Sequence, residues 1–258
     1  MAIGKTVAIV TGASQGIGRA TAVRLARDFL AVVLVARDKG NLEKAANEVR
    51  SLGAEAMIFA LDLRQPEVEK TIVEGTLERF GRIDAVLNIA GAVPQIDLFQ
   101  MTEAEWDDGM ALKFHGARRL TICAWNALKT SLGSVIFMSG NAALAPKTGS
   151  AAVAAINAAI NALAKAFAEQ GIKDGVQVNS VSPGAVMTER RRAFLESWAP
   201  SYNLTMDEAI KKFPEQAGIV RFGRPDEVAD LMSYLVSPAA KWITGASVRI
   251  DGSEFKGI

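Results

Sequence analysis

The sequence predicts an α/β fold: a doubly wound parallel sheet in a single domain, with a helical lid over its binding edge. Short apolar runs alternate with longer amphipathic stretches, most of those runs are apolar on both faces, and a glycine-rich turn joins the first run to the first helix. Alternation of this kind reads as repeated βαβ units, and runs apolar on both faces belong inside a sheet that the intervening helices cover. Right-handed crossovers then wind the sheet outward in both directions from its centre.

In chain order, residues 6–10 (TVAIV) are the first strand and 20–29 the first helix. Residues 31–35 (AVVLV) and 41–52 make the second strand–helix pair, and 56–60 (AMIFA) and 66–80 the third. Residues 83–87 (IDAVL) and 103–130 follow as the fourth, 134–138 (SVIFM) and 150–170 as the fifth, and 176–181 (VQVNSV) as the sixth strand. The 150–170 helix is rich enough in alanine for a neighbouring helix, in the same subunit or another, to approach closely. Residues 190–223 break the rhythm with Phe194, Trp198, Tyr202 and Phe213, punctuated by Pro200 and Pro214. Long insertions in compact domains are often functional, so this one reads as a substrate lid, the alternative being a packing or oligomer-contact insertion. No composition break marks a second domain, so residues 1–258 read as one.

Composition narrows the function classes. With 29 Lys plus Arg against 28 Asp plus Glu, the net charge of +1 gives no general field for nucleic acid or anionic lipid. The lone cysteine, Cys123, has no internal partner for a disulfide, which suits a reducing compartment and hence the cytoplasm. No apolar run reaches the roughly 20 residues that cross a bilayer, and Met1 to Lys5 leads into a strand instead of a cleavable signal. No metal site is expected.

The turn Thr11-Gly12-Ala13-Ser14-Gln15-Gly16-Ile17-Gly18 lies between the first strand and first helix. Glycine permits the tight turn and a close backbone approach, and the helix N-terminus offers free N–H groups to a pyrophosphate. Gly12, Ser14, Gln15, Gly16, Ile17 and Gly18 are therefore expected to cradle a dinucleotide.

Four landmarks in the right order resemble the short-chain dehydrogenase/reductase family over nearly the whole chain. Thr11 to Gly18 matches TGxxxGxG, Asp62-Leu63 the adenine-contact pair, Leu87 to Gly91 the NNAG segment, and Asn179 to Thr188 the NxxxPGxxxT segment. The resemblance implies a Rossmann-type fold, with Asp62 and Leu63 beside an adenine, Asn88, Ala90 and Gly91 along a ribose, and Pro183, Gly184 and Thr188 near a nicotinamide. Ile89 departs from the family's second asparagine and removes a polar group that ties neighbouring strands there. At the end of the second strand, Ala36 stands where NAD-preferring relatives carry an acid, and Arg37 next to it suits a 2′-phosphate. NADP(H) is therefore the expected cofactor, with NAD(H) as the alternative and pairing of Arg37 with Asp38 or Glu43 as the structural one.

The family's Asn–Ser–Tyr–Lys tetrad is not matched. Aligning residues 146–167 on Pro146, Gly149 and the pair Ala158-Ala159 puts Val153 at the Tyr position, Asn157 at the Lys position, Gly140 at the Ser position and Lys113 at the Asn position. The chain's two tyrosines, Tyr202 and Tyr234, lie far from this stretch. Asn and Lys are exchanged, so a meeting of Lys113 with Asn157 keeps a cation in the pocket; otherwise Lys113 reaches solvent. Ser139 points away from the Gly140 position and reads as a buried hydroxyl bonded to backbone. His115 lies two residues from Lys113, roughly 200° around a helix, and reads as a surface or interface residue. Asn141 and Lys147 are substrate-contact candidates or ordinary loop residues.

Together these residues describe an atypical NADP(H)-dependent oxidoreductase of an unidentified small carbonyl or hydroxyl compound. An inactive cofactor-binding sensor or structural partner of an active paralogue is the alternative, and a lyase or isomerase in the same pocket a third. NADPH consumption separates the first from the others. The alanine-rich helix and the 245–258 run, which carry subunit contacts in relatives, imply a homotetramer.

Overall fold

The computed structural model describes residues 6–257, so the signal-free start expected at Met1 to Lys5, and Ile258 at the end of the C-terminal run, lie outside the described residues. The strands are β1 (Val7–Thr11), β2 (Ala31–Ala36), β3 (Glu55–Ala60), β4 (Ala85–Asn88), β5 (Ser134–Met138), β6 (Gln177–Pro183) and β7 (Ser247–Ile250), in the order β3-β2-β1-β4-β5-β6-β7. All pairs are parallel, with registers such as Val10 beside Leu34 and Leu87. β1, β4, β5 and β6 are buried at every position.

Period-two alternation divides the strands other than the edge strand β7 between two cores. Ala8, Val10 and Leu34 face Leu25 of α1 (Gly16–Leu25), Leu42 of α2 (Lys39–Ser51) and Met232 of α9 (Pro225–Leu235). Val7, Ile9 and Val33 face Ile72 of α3 (Val68–Phe80), Leu120 of α5 (Ala117–Ser131) and Ile160 of α6 (Ala151–Asp174). The chain builds outward from β1 to β3 and returns to place β4 beside β1, so the strand order reverses there. At such a reversal the loops diverge, and a crevice opens at the carboxyl ends of the strands.

Four features depart from expectation. β7, expected only as part of a subunit-contact run, pairs with β6, and its alternating exposure leaves it without a continuous apolar run. The 103–130 helix is α4 (Glu103–Gly109), a π-helical stretch Met110–Gly116 and α5, with Thr102 and Glu105 forming a capping box at its start. The 190–223 insertion contains α7 (Glu189–Trp198), a 3₁₀ turn and α8 (Met206–Ala217), and Pro214 does not interrupt α8. It lies in the second half of the helix, where it withholds one backbone donor, and Gly218 closes the helix at φ 68°. Finally, Thr148–Asp174 is long and apolar enough by composition to cross a bilayer, although Asn157, Asn161 and Lys165 interrupt its apolar runs. Its Ile160, Ala164 and Ala168 belong to the core beside Phe137 and Val178, so one face of it packs on the sheet.

Candidate active site

The carboxyl ends of β1, β2, β4, β5 and β6 enclose a cleft of about 760 Å³. Gly12, Ser14, Gln15, Gly16, Ile17 and Gly18 line one end, with Ala36, Arg37, Asp62 and Leu63. Ala90, Gly91, Lys113, Ser139, Val153, Asn157, Pro183, Gly184 and Thr188 line the other. A second cavity of about 510 Å³ adjoins it, sharing Val153, Asn157 and Gly184, and Gly140 borders this one. Asn88 lines neither; this corrects its expected place along the cleft. It is buried on β4 with its amide donating to Thr121 Oγ1 at 3.0 Å, because it points into the helix layer.

The glycine turn is tight because backbone occupies the space a side chain would need. A Cβ on Gly18 would lie 2.1 Å from the Gly12 carbonyl oxygen, and one on Gly12 (φ 68°) would lie 3.0 Å from Ala90 backbone. The Thr11 hydroxyl accepts from the Ile89 and Ala90 N–H groups at 2.9 and 3.0 Å. It thereby ties β1 to the segment after β4, although Ile89 has no polar side chain to offer.

Arg37 is exposed at the cleft mouth and has no ion pair among the described residues. Its two suspected partners are engaged elsewhere: Asp38 caps α2 by accepting from Asn41, and Glu43 lies 3.7 Å from Arg50.

Lys113 and Asn157 meet. The Lys113 Nζ donates to Asn157 Oδ1 and, at 3.3 Å, to the Ser139 carbonyl. Its stem passes over Gly91, where an added Cβ would lie 3.1 Å from Lys113 Cδ. The π-helical stretch carries this lysine, and such bulges frequently occur at functional sites. Burial, with the positive charge of Arg190 adding to it, pushes the Lys113 amine down to about 7. An amine titrating there, held by two acceptors, can donate or accept a proton near neutrality.

The neighbouring groups are accounted for. The buried Ser139 hydroxyl donates to the Asn157 carbonyl at 2.9 Å, as expected of a backbone-bonded serine. His115 lines neither cavity; it packs edge-on against Phe114, and burial followed by Arg118 and Arg119 lowers its pKa. Asn141 borders the second cavity with its amide given to Asp251 at 2.7 Å, and Lys147 borders it too. Trp198 and Tyr202 pack on one another at 4.5 Å inside the insertion, whereas Phe194 and Phe213 face the second cavity.

Sequence reasoning missed Arg190 and Arg191. Arg190 ties α7 to the segment after β4 through the carbonyls of Gly91, at 3.2 Å, and Val93. Arg191 borders both cavities. Their signal was the run Arg190-Arg191-Arg192 two residues after Thr188.

Residues 12–252 match the family model described as enoyl-(acyl carrier protein) reductase. The short-chain reductase protein NovJ of Streptomyces niveus is 30% identical over 249 residues, covering 96% of this chain and 93% of NovJ. The 3-oxoacyl-[acyl-carrier-protein] reductase FabG of Thermotoga maritima is 27% identical over 247 residues, covering 95% and 96%. Among solved structures, L-sorbose reductase from Gluconobacter frateurii, complexed with NADPH and L-sorbose, superposes with a TM-score of 0.94 at 26% identity, covering all of both chains. A model spanning almost the whole sequence, and a superposition that leaves no part of either chain over, agree with the reversed sheet and its glycine-lined cleft: the chain is an oxidoreductase-type member of the short-chain dehydrogenase/reductase family.

Proposed function

We propose that this chain binds NADP(H) in the larger cleft and is an atypical oxidoreductase of a small carbonyl or hydroxyl compound, with Lys113 moving the proton that the family's tyrosine moves elsewhere. The observation that carries the reading is the Lys113–Asn157–Ser139 cluster in a cleft that neither Tyr202 nor Tyr234 lines. Val153 and Gly140 supply no hydroxyl at the positions where the family carries Tyr and Ser.

The residues fit a dinucleotide. Gly12 and Gly18 keep the backbone bare at the N-terminus of α1, where N–H groups face a pyrophosphate, and Asp62 and Leu63 flank the adenine end. The free guanidinium of Arg37 suits a 2′-phosphate, and the NADPH held by L-sorbose reductase supports the same preference. When bound, the cofactor supplies or takes a hydride. Asn157 Oδ1 and the Ser139 carbonyl orient the Lys113 ammonium, whose charge favours developing alkoxide and whose proton completes the alcohol. Residues 190–223 cover the second cavity as the substrate lid, held down by Arg190.

NADPH is expected to bind more tightly than NADH. Arg37→Ala should weaken NADPH alone by about 1.5–3 kcal/mol, the range for a hydrogen bond to a charged group. Calorimetric titration checks this, and equal affinities for the two cofactors would remove the preference.

A cytoplasmic homotetramer is the proposed assembly, since α6 leaves Ala155, Ala158, Ala162 and Ala166 exposed on its outer face. Light scattering at micromolar concentration should give four times the 27.4 kDa chain mass. A monomer would assign that face to the single subunit.

A further inference from the structure

Among the described residues, the Arg191 guanidinium makes no hydrogen bond and no ion pair. Its guanidinium lies 5.2 Å from the ring centres of both Phe194 and Phe213, contacts that consume none of its five N–H donors. Burial disfavours its charged form, the distant Glu254 carboxylate offsets only part of that, and the positive charge of Arg190 adds to it. A second cation, Lys147, borders the same cavity, also without an ion pair. One carboxylate there, Glu254, accepts the Ala185 N–H at 2.8 Å and reaches Arg191 only through its charge, without an ion pair. Gln95 and Gln216 are among its neutral polar lining, and Phe255 and Ala217 among its apolar lining.

A desolvated guanidinium facing an open cavity costs free energy unless an anion meets it. Arg191 also borders the cleft that Lys113 lines, so an anion on it lies in the same continuous space as a group undergoing reduction at Lys113. We propose that the second cavity is a carboxylate subsite, built on Arg191 with Lys147 at its rim, and that the substrate is an oxo acid or hydroxy acid with a short apolar or aromatic body. Two donors on one guanidinium match the two oxygens of a planar carboxylate, while Phe194, Phe213 and Phe255 enclose the carbon skeleton. This rests on the oxidoreductase reading for the location of the reacting carbon, but carboxylate binding is measurable without turnover.

The test is calorimetric titration of the full-length protein, with and without NADPH, using phenylglyoxylate and its neutral methyl ester as probes. The acid should bind about tenfold or more tightly than the ester, as a charge-assisted pair implies. Arg191→Gln should bring the ratio close to one, and Arg191→Lys should restore part of it. Equal binding of acid and ester by the wild-type protein overturns the subsite whatever the variants do, and so does an undiminished ratio in folded Arg191→Gln. A retained acid preference in a protein that binds no NADPH would uphold the subsite and remove the oxidoreductase reading; NADPH binding with no acid preference would do the reverse.

Discussion

Lys113→Met is expected to lower NADPH-dependent reduction of an oxo acid by about 10²–10⁴-fold, the usual contribution of a positioned proton donor, while NADPH binding stays within a few-fold. The wild-type rate should be flat below pH about 7, where Lys113 is protonated, and fall with rising pH as its amine loses the proton. Alcohol oxidation should show the opposite limb. Stability carries the same signature with its own sign. The folded amine titrates near 7 and the unfolded one near the ordinary 10.5, so between those values the unfolded chain binds more protons and native stability rises with pH. The burial cost, on the order of a few kcal/mol, is therefore complete below about pH 7 and fades towards pH 10.5. Methionine removes that cost and leaves Asn157 Oδ1 and the Ser139 carbonyl without their donor, a loss that does not vary with pH. Melting temperatures of the two proteins should accordingly diverge most in the variant's favour below pH 7 and shift towards the wild type above it. A pH-independent gap, or an undiminished rate in the variant, would show that Lys113 holds no titrating role.

Much of this site is legible in the sequence because backbone constraints write themselves into residue type. Gly12 and Gly18 can only be glycine where another backbone lies 3.0 Å or less from their missing Cβ, and the apolar runs of β1, β2 and β5 are continuous because both faces of those strands are covered. The exchange of Lys113 with Asn157 was readable as an exchange because both fall on family positions, but whether the two side chains meet was left open until the fold brought them together. Features set by side-chain direction were not readable. Asn88 and Ile89 are adjacent, and which of them faces the cleft depends on the pleat of β4. β7 is half exposed at the sheet edge, so its pattern is weak, and Pro214 obscures a helix whose Thr205–Glu208 capping box marks its start. Arg191 was missed for a different reason: an arginine between two other arginines reads as a solvated face, and only the insertion's folding brings Phe194 and Phe213 against it.

Neutral ketones and secondary alcohols are expected to be turned over extremely slowly by the wild-type protein, and the change Lys113→Asn, Gly140→Ser, Val153→Tyr and Asn157→Lys should raise that rate by about 10²-fold or more. Proton transfer and oxyanion binding each contribute on that scale, and the four substitutions install both. They are coupled through geometry. Gly140 has extended backbone, at φ 164° and ψ 158°, which a serine adopts freely. A Cβ there would nevertheless lie 2.8 Å from Asn157 Nδ2, so Gly140→Ser alone must push Asn157 aside and disturb the amide that orients Lys113. Replacing Asn157 in the same protein removes the obstruction. Val153 is half-buried and borders both cavities, so a tyrosine ring there has open space of about 760 and 510 Å³ beside it, which limits the overpacking cost. NADPH absorbance measures the gain, and an NADPH titration of the same protein shows that the cleft is intact. Robust reduction of neutral ketones by the wild-type chain would mean that the phenol and serine hydroxyl are dispensable in this pocket. A folded, NADPH-binding quadruple variant without activity would place the remodelling in the pocket's shape, with Arg191 and the lid selecting against any substrate that lacks a charge to meet them.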